Sequence, residues 1–122
     1  MKLMEKLVKK IETESDFQRF EWLGDSVFGL IVTEYIFKRF KTREGFMSIL
    51  RTKIINNNIL KTFCLDLGWV KFNTKNKNTA DLFESIVGVY FYKYGYKKTY
   101  AFIVNNLLES KVKWTEILIT LK

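Results

Sequence analysis

Hydrophobic residues recur at helical spacing in almost every part of the chain, which predicts an all-α fold. The clearest pattern runs from Phe17 to Phe40, where apolar residues return every three or four positions. Ser15 and Asp16 are typical N-cap residues, so we expect a long amphipathic helix to begin beside them. Shorter patterns predict further helices over residues 1–12, 46–55, 58–67, 79–93 and 97–109.

Glycines mark the predicted ends of these helices. Gly68 follows the pattern over residues 58–67 and Gly95 follows the pattern over residues 79–93, both at positions where glycine commonly ends a helix. The stretch Trp69–Asn78 is polar and irregular, and the tail to Lys122 fits either helix or strand. The chain has no proline, so long helices can run without interruption. Its 122 residues predict a single domain spanning 1–122.

Two pairs of carboxylates lie on the predicted helices. Glu21 and Asp25 are four residues apart, and Asp81 and Glu84 are three apart, so each pair shares one helical face. Like charges at this spacing repel, and Gly24 costs the helix about 1 kcal/mol more. A sequence that accepts both costs favours a functional site, with Gly24 allowing a helix, a metal or a phosphate to approach. The alternative is that each pair is an ordinary solvated face, since spacing alone cannot show that the two helices meet.

The titratable residues limit the possible chemistry. The chain has no histidine and one cysteine, Cys64, which excludes Ser-His and Cys-His mechanisms, most transition-metal sites and an internal disulfide. We expect Cys64 to be a small core residue rather than a nucleophile. Four converging carboxylates would need a cation, and hard oxygen ligands without histidine indicate Mg²⁺ or Mn²⁺.

The net charge indicates the kind of partner. The chain carries 21 Lys and Arg against 13 Asp and Glu, a formal charge of +8 that favours polyanions such as nucleic acid. The alternative is that the positive charge serves only to keep the protein soluble. The longest apolar run, Val27–Val32, is too short to span a membrane, and no secretory signal is evident. We expect an intracellular, reducing compartment, the cytoplasm or nucleus rather than an organelle.

Three segments together resemble a known family. Phe17–Ser26 is similar to the ribonuclease III signature, whose usual form is Arg-Leu-Glu-Phe-Leu-Gly-Asp-Ser, with Phe20 and Trp22 as substitutions. Lys53–Asn57 is similar to the Leu-Val-Asn-Asn stretch of that family. Lys77–Gly88 resembles its Lys-x-Leu-Ala-Asp-x-Phe-Glu-Ala-x-x-Gly block. The order and separations of the three segments fit as well.

The resemblance implies an all-α ribonuclease III-type endonuclease domain. Such a domain hydrolyses double-stranded RNA with metal-activated water and leaves 5′-phosphates and 3′ overhangs. Carried over position by position, the catalytic and metal-binding acids of the family fall on Glu21, Asp25, Asp81 and Glu84. The implied cofactor is Mg²⁺, with Mn²⁺ as a possible substitute. Family members dimerise, and the aromatic residue after the first Glu plugs into the partner, which implies a homodimer with Trp22 at its interface. An ordinary core tryptophan is the alternative for Trp22.

Duplex RNA is recognised through its phosphates, its 2′-hydroxyls and its shape, so lysines should carry its binding. The candidate phosphate contacts are Lys53, Lys75 and Lys77, each of which could instead be merely solvated. As departures from the family pattern, we expect a shortened N-terminal region and no double-stranded-RNA-binding domain after Lys122, and therefore weak, salt-sensitive RNA binding. Ser85 stands where the family usually has alanine.

The alternative function is a catalytically silent ribonuclease III-like RNA-binding module, either a ribosome-type component or an inactive dimer partner. Retention of all four acids disfavours it.

Overall fold

The longest helix, α1 (Glu14–Arg39), contributes one face to the core along almost its whole length. In the computed structural model, residues 9, 11, 13–73 and 77–120 are described. Apolar side chains and one glycine, spaced three or four apart, form the buried face of α1: Phe17, Gly24, Val27, Phe28, Ile31, Val32, Tyr35 and Ile36. The amphipathic helix predicted from the sequence is therefore confirmed, and it begins slightly earlier than predicted.

The N-cap of α1 is Thr13 rather than Ser15 or Asp16. The Thr13 hydroxyl accepts a hydrogen bond of 3.0 Å from the backbone N–H of Asp16. In return, the carboxylate of Asp16 accepts one of 3.3 Å from the N–H of Thr13. This reciprocal capping box satisfies two amide groups that the helix leaves unpaired at its start. The prediction was wrong because Thr13, Ser15 and Asp16 are all residue types that cap helices. The structure shows that Thr13 has the extended backbone of an N-cap.

The remaining elements are all helical. In chain order they are α2 (Glu44–Ile54), α3 (Asn57–Asp66), a 3₁₀ turn (Trp69–Phe72), α4 (Thr79–Tyr94), α5 (Tyr96–Ile103), a π-helical turn (Val104–Leu108) and α6 (Trp114–Thr120). The described part of the chain contains no strand, which confirms the all-α prediction. No helix among the described residues is long and apolar enough to cross a membrane.

Two glycines end helices as predicted. Gly68 follows α3 with a φ of +71°, and Gly95 separates α4 from α5 with a φ of +83°. Both values lie in the left-handed region, which glycine adopts with little strain. After Gly95, the predicted helix 97–109 divides into α5 and the π-helical turn. The tail that fitted helix or strand is helical in α6, while the helix predicted over residues 1–12 falls almost entirely outside the described residues.

The core forms where α1 packs across α4, the most extensive helix–helix contact in the described chain. Phe28 of α1 meets Phe83 of α4 with ring centres 5.0 Å apart, and Phe63 of α3 also packs against Phe83, at 5.5 Å. Trp69 is buried and stacks near both Phe83 and Phe102, so the region predicted as polar and irregular begins with a core residue. These aromatic contacts join α1, α3, α4 and α5 in one core.

Candidate active site

Four carboxylates come together where α1 and α4 cross. Glu21 and Asp25 stand on α1, while Asp81 and Glu84 stand on α4. Asp25 is exposed and the other three are partly buried. The charges of Asp25, Asp81 and Glu21 all act on Glu84, and the charges of Asp25 and Asp81 act on Glu21. The four carboxylates therefore lie within electrostatic range of one another. The two helical faces that the sequence singled out therefore meet.

The helices cross closely because a glycine faces the opposite backbone on each side. A β-carbon at Gly24 would overlap the carbonyl oxygen of Glu84, and a β-carbon at Gly88 would overlap the carbonyl oxygen of Phe20. No larger residue fits at either position unless the helices move apart. The expectation that Gly24 admits a close neighbour is confirmed, and that neighbour is the backbone of α4.

The crossing crowds negative charge around Glu84. Burial, with the charges of Asp25, Asp81 and Glu21 and a hydrogen-bonding contact with Asp25, raises the pKa of Glu84 to about 8. The pKa of Glu21 is also raised, first by burial and then by Asp81, although the charge of Lys77 opposes the shift. Carboxylates placed this way cannot all ionise cheaply unless positive charge lies beside them.

The donor set fits a hard divalent cation. Mg²⁺ and Mn²⁺ prefer carboxylate oxygens, and this cluster offers four carboxylates from two rigid helices. Across the described residues, no three of the His, Cys, Asp and Glu side chains are already gathered around one point. Instead, the contacts are pairwise, between Asp25 and Glu84 and between Glu21 and Asp81. Two carboxyl groups in such contact share a proton as long as no cation lies between them.

Lys77 lies at the edge of the carboxylate cluster. Its ammonium forms an ion pair with Glu14 at the start of α1 and lies 5.4 Å from the centre of the Phe17 ring. The amide of Asn73 fixes the backbone of Lys77, accepting a 2.8 Å hydrogen bond from its N–H and donating one of 2.6 Å to its carbonyl. Lys77 is thus the candidate lysine that the fold brings to the acids. Lys53 is exposed in the last turn of α2, and Lys75 lies outside the described residues.

Trp22 is on the surface, so the alternative of an ordinary core tryptophan is wrong. Its side chain is 76% exposed although it lies between the acids Glu21 and Asp25. Beside it opens a groove of about 510 Å³, lined by Asp16, Arg19, Phe20, Trp22, Leu23 and Tyr92. A large exposed indole beside a groove lined by both apolar and charged side chains is typical of an interaction surface.

A comparison with known proteins identifies the family. The family model of the ribonuclease III domain matches residues 18–95, which include all four carboxylates. The chain belongs to the ribonuclease III family. Ribonuclease 3 of Caenorhabditis elegans is 36% identical over 121 aligned residues, covering 85% of this chain and 11% of that protein. Ribonuclease 3 of Chlorobium luteolum is 36% identical, covering 76% of this chain and 38% of that protein.

A viral relative shows the same pattern of coverage. The probable ribonuclease 3 of Acanthamoeba polyphaga mimivirus is 30% identical, covering 88% of this chain and 21% of that protein. This chain therefore spans less than half of each ribonuclease III relative named here. No solved structure gave a significant match.

Several neighbours of the carboxylates could not be found from the ribonuclease III motifs. Glu14 holds Lys77 across 63 residues of sequence, and Tyr92 lines the groove beside Trp22. The hydroxyl of Ser85 donates a hydrogen bond to the carbonyl of Phe17 on α1. No spacing rule links these partners, because each contact exists only once α4 lies across α1.

Proposed function

We propose that this chain is an endoribonuclease domain that cleaves double-stranded RNA with the help of Mg²⁺, for which Mn²⁺ can substitute. The observation that carries the proposal is the meeting of Glu21, Asp25, Asp81 and Glu84 at the crossing of α1 and α4, where burial and mutual repulsion act on Glu84. Membership of the ribonuclease III family and the formal charge of +8 support the same conclusion.

Asp25 and Glu84 would be the main metal ligands, with Glu21 and Asp81 completing or orienting the site. The chemistry that Mg²⁺ would supply when bound by these residues is a more acidic water as nucleophile and stabilisation of the charge on the leaving 3′ oxygen. The two helices fix the backbone positions of all four acidic residues. No large rearrangement of the backbone is then needed when the phosphodiester arrives. Hydrolysis would leave a 5′-phosphate on one product, and staggered cuts in the two strands would leave 3′ overhangs.

Lys77 is the best-supported candidate for a phosphate contact. Its ammonium lies near Glu21, and its ion pair with Glu14 orients the side chain along the start of α1. We propose that Lys77 contacts a phosphate next to the one that is cut, while Lys53 and Lys75 contribute to a longer backbone track. Recognition of this kind depends on phosphates and on the shape of the duplex, not on base sequence.

The two strands of a duplex need two sites, so we also propose a homodimer. The exposed indole of Trp22 would insert into the groove of a second copy, beside Tyr92. This places one carboxylate cluster on each protomer and makes each responsible for one strand.

The test is the cleavage of a long, perfect RNA duplex in Mg²⁺ at low salt. We expect short products with 5′-phosphates and 3′ overhangs, and no products from Glu84→Gln, which removes one carboxylate but preserves shape. Glu116→Gln is the matched control, since Glu116 is an exposed carboxylate on α6 and its loss should leave cleavage unchanged.

Two outcomes would contradict the proposal. Cleavage by Glu84→Gln at the rate of the unaltered chain would remove the carboxylate cluster from the mechanism. Duplex binding without cleavage in either Mg²⁺ or Mn²⁺ would instead indicate the silent RNA-binding module or a subunit that needs a different catalytic partner.

A further inference from the structure

Ser85 has an unusual position for a polar side chain. Its exposure is 0%, and together with Thr99 it makes up the buried polar residues of the described chain. A buried hydroxyl costs free energy unless it is hydrogen bonded, and alanine would avoid that cost in the same space. The Ser85 hydroxyl donates a bond of 3.3 Å to the carbonyl of Phe17. The hydroxyl therefore links α4 to α1 from within the core.

Both ends of this hydrogen bond adjoin proposed metal ligands. Ser85 directly follows Glu84 on α4. On α1, the carbonyl of Phe17 is also the helical acceptor for the backbone N–H of Glu21, four residues later. The bond thus connects the turn that carries Glu84 with the turn that carries Glu21, across the crossing of the two helices.

The glycine contacts of this crossing have no preferred direction. Gly24 faces the backbone at Glu84 and Gly88 faces the backbone at Phe20, so both are contacts of shape alone. The contact between Ser85 and Phe17 lies seven residues away along α1, which is about 10 Å. A hydrogen bond depends on distance and angle, so this contact adds a directional constraint at the end of the crossing that carries Glu21.

We propose that Ser85 is a positioning residue that sets the separation of the α1 and α4 carboxylates and thereby their affinity for a divalent cation. The inference rests on the proposed function, because it assumes that these carboxylates bind the metal. Ser85 does not touch the metal or the RNA in this scheme. Its effect passes through the backbone turns that carry Glu84 and Glu21.

The test is Mn²⁺ and Mg²⁺ binding by isothermal titration calorimetry, with stability measured in urea. We expect Ser85→Ala to fold and to bind either ion more weakly by a factor on the order of ten, which is typical when a supporting hydrogen bond near a metal site is lost. Thr99→Val is the matched control. It also removes a buried hydroxyl, one that bonds at 2.7 Å to the carbonyl of Gly95 beside α5.

The control separates positioning from general stability. Unchanged metal affinity in Ser85→Ala would overturn the inference, as would an equal loss of affinity in Thr99→Val at a similar loss of stability. Glu84→Gln serves as the reference for the site itself. If the unaltered chain showed no binding that depends on Glu84, the proposed metal site would fail first, and this inference would fall with it.

Discussion

Glu84 is the residue at which burial and negative charge act most strongly together. Its ordinary pKa of 4.5 rises to about 8 in the folded chain, and the largest cause is burial, followed by Asp25, Asp81 and Glu21. Between those two values the folded chain retains a proton that the unfolded chain releases. The free energy of unfolding therefore decreases as pH rises through this window. Below pH 4.5, Glu84 is protonated in both states and does not change the stability with pH.

We predict that the free energy of unfolding, measured in a chelator, falls as pH rises from about 4.5 to about 8. Urea unfolding at a series of pH values would measure it. Glu84→Gln should flatten the decline, because it removes the titrating carboxyl, whereas Glu116→Gln should preserve it. Glu84 is half-buried, so water screens part of the effect and the direction is the quantity to test. Equal slopes for the unaltered chain and Glu84→Gln would contradict this prediction.

The decisive feature at the scale of elements is the glycine-faced crossing of α1 and α4. Gly24 and Gly88 bring the two backbones into contact, and this contact brings the two carboxylate pairs together. Gly29 lies on the same helix as Gly24, but a β-carbon there would meet nothing within 4 Å. Two glycines of one helix thus have opposite expected responses to substitution.

We predict that Gly24→Ala destabilises the chain by about 3 kcal/mol, because the new methyl group forces α1 away from the backbone of α4. Gly29→Ala should instead stabilise α1 by about 0.5–1 kcal/mol, since alanine is the better helix former and the space is free. Thermal or urea unfolding of both variants would decide. A similar change in both would show that helix propensity, and not the crossing, governs position 24.

Most of the elements could be predicted from the sequence, because helical periodicity and glycine signals are local. Gly68 and Gly95 end helices where expected, and each carboxylate pair shares a helical face as its spacing required. The close packing of the two faces could not be derived from that spacing, because it depends on residues some 60 positions apart. The ribonuclease III motifs supplied it by resemblance. The bonds from Lys77 to Glu14 and from Ser85 to Phe17 had no local signal at all.

The whole molecule combines a basic surface with an acidic centre. The formal charge is +8, yet four carboxylates meet at one crossing. The positive surface would attract RNA from a distance, and the acids would hold cations where the backbone is cut. Binding carried by exposed lysines weakens steeply with added salt, so the salt-sensitive RNA affinity expected from the sequence stays a prediction.

We predict that Trp22→Ala weakens the proposed homodimer in favour of the monomer, because a buried interface tryptophan commonly contributes about 2 kcal/mol or more to association. Analytical ultracentrifugation over a range of concentrations would measure the shift. Phe37→Ala is the matched control, since Phe37 is a similarly exposed aromatic residue on α1, at 70% against 76% for Trp22. Dissociation by Phe37→Ala but not by Trp22→Ala would move the interface towards the other end of α1.

The crossing of α1 and α4 also has a consequence for synthesis on the ribosome. The buried face of α1 packs mainly against α4, which begins at Thr79, so it has no such cover until the residues from Thr79 onwards have emerged. Residues 40–78, which join the two helices, must be brought together end to end before this packing forms. The entropy lost in that closure makes the step slower than the formation of contacts between sequence neighbours. During that interval the nascent chain exposes a long apolar stripe, and chaperones that bind such stripes would find it most available just before α4 is complete.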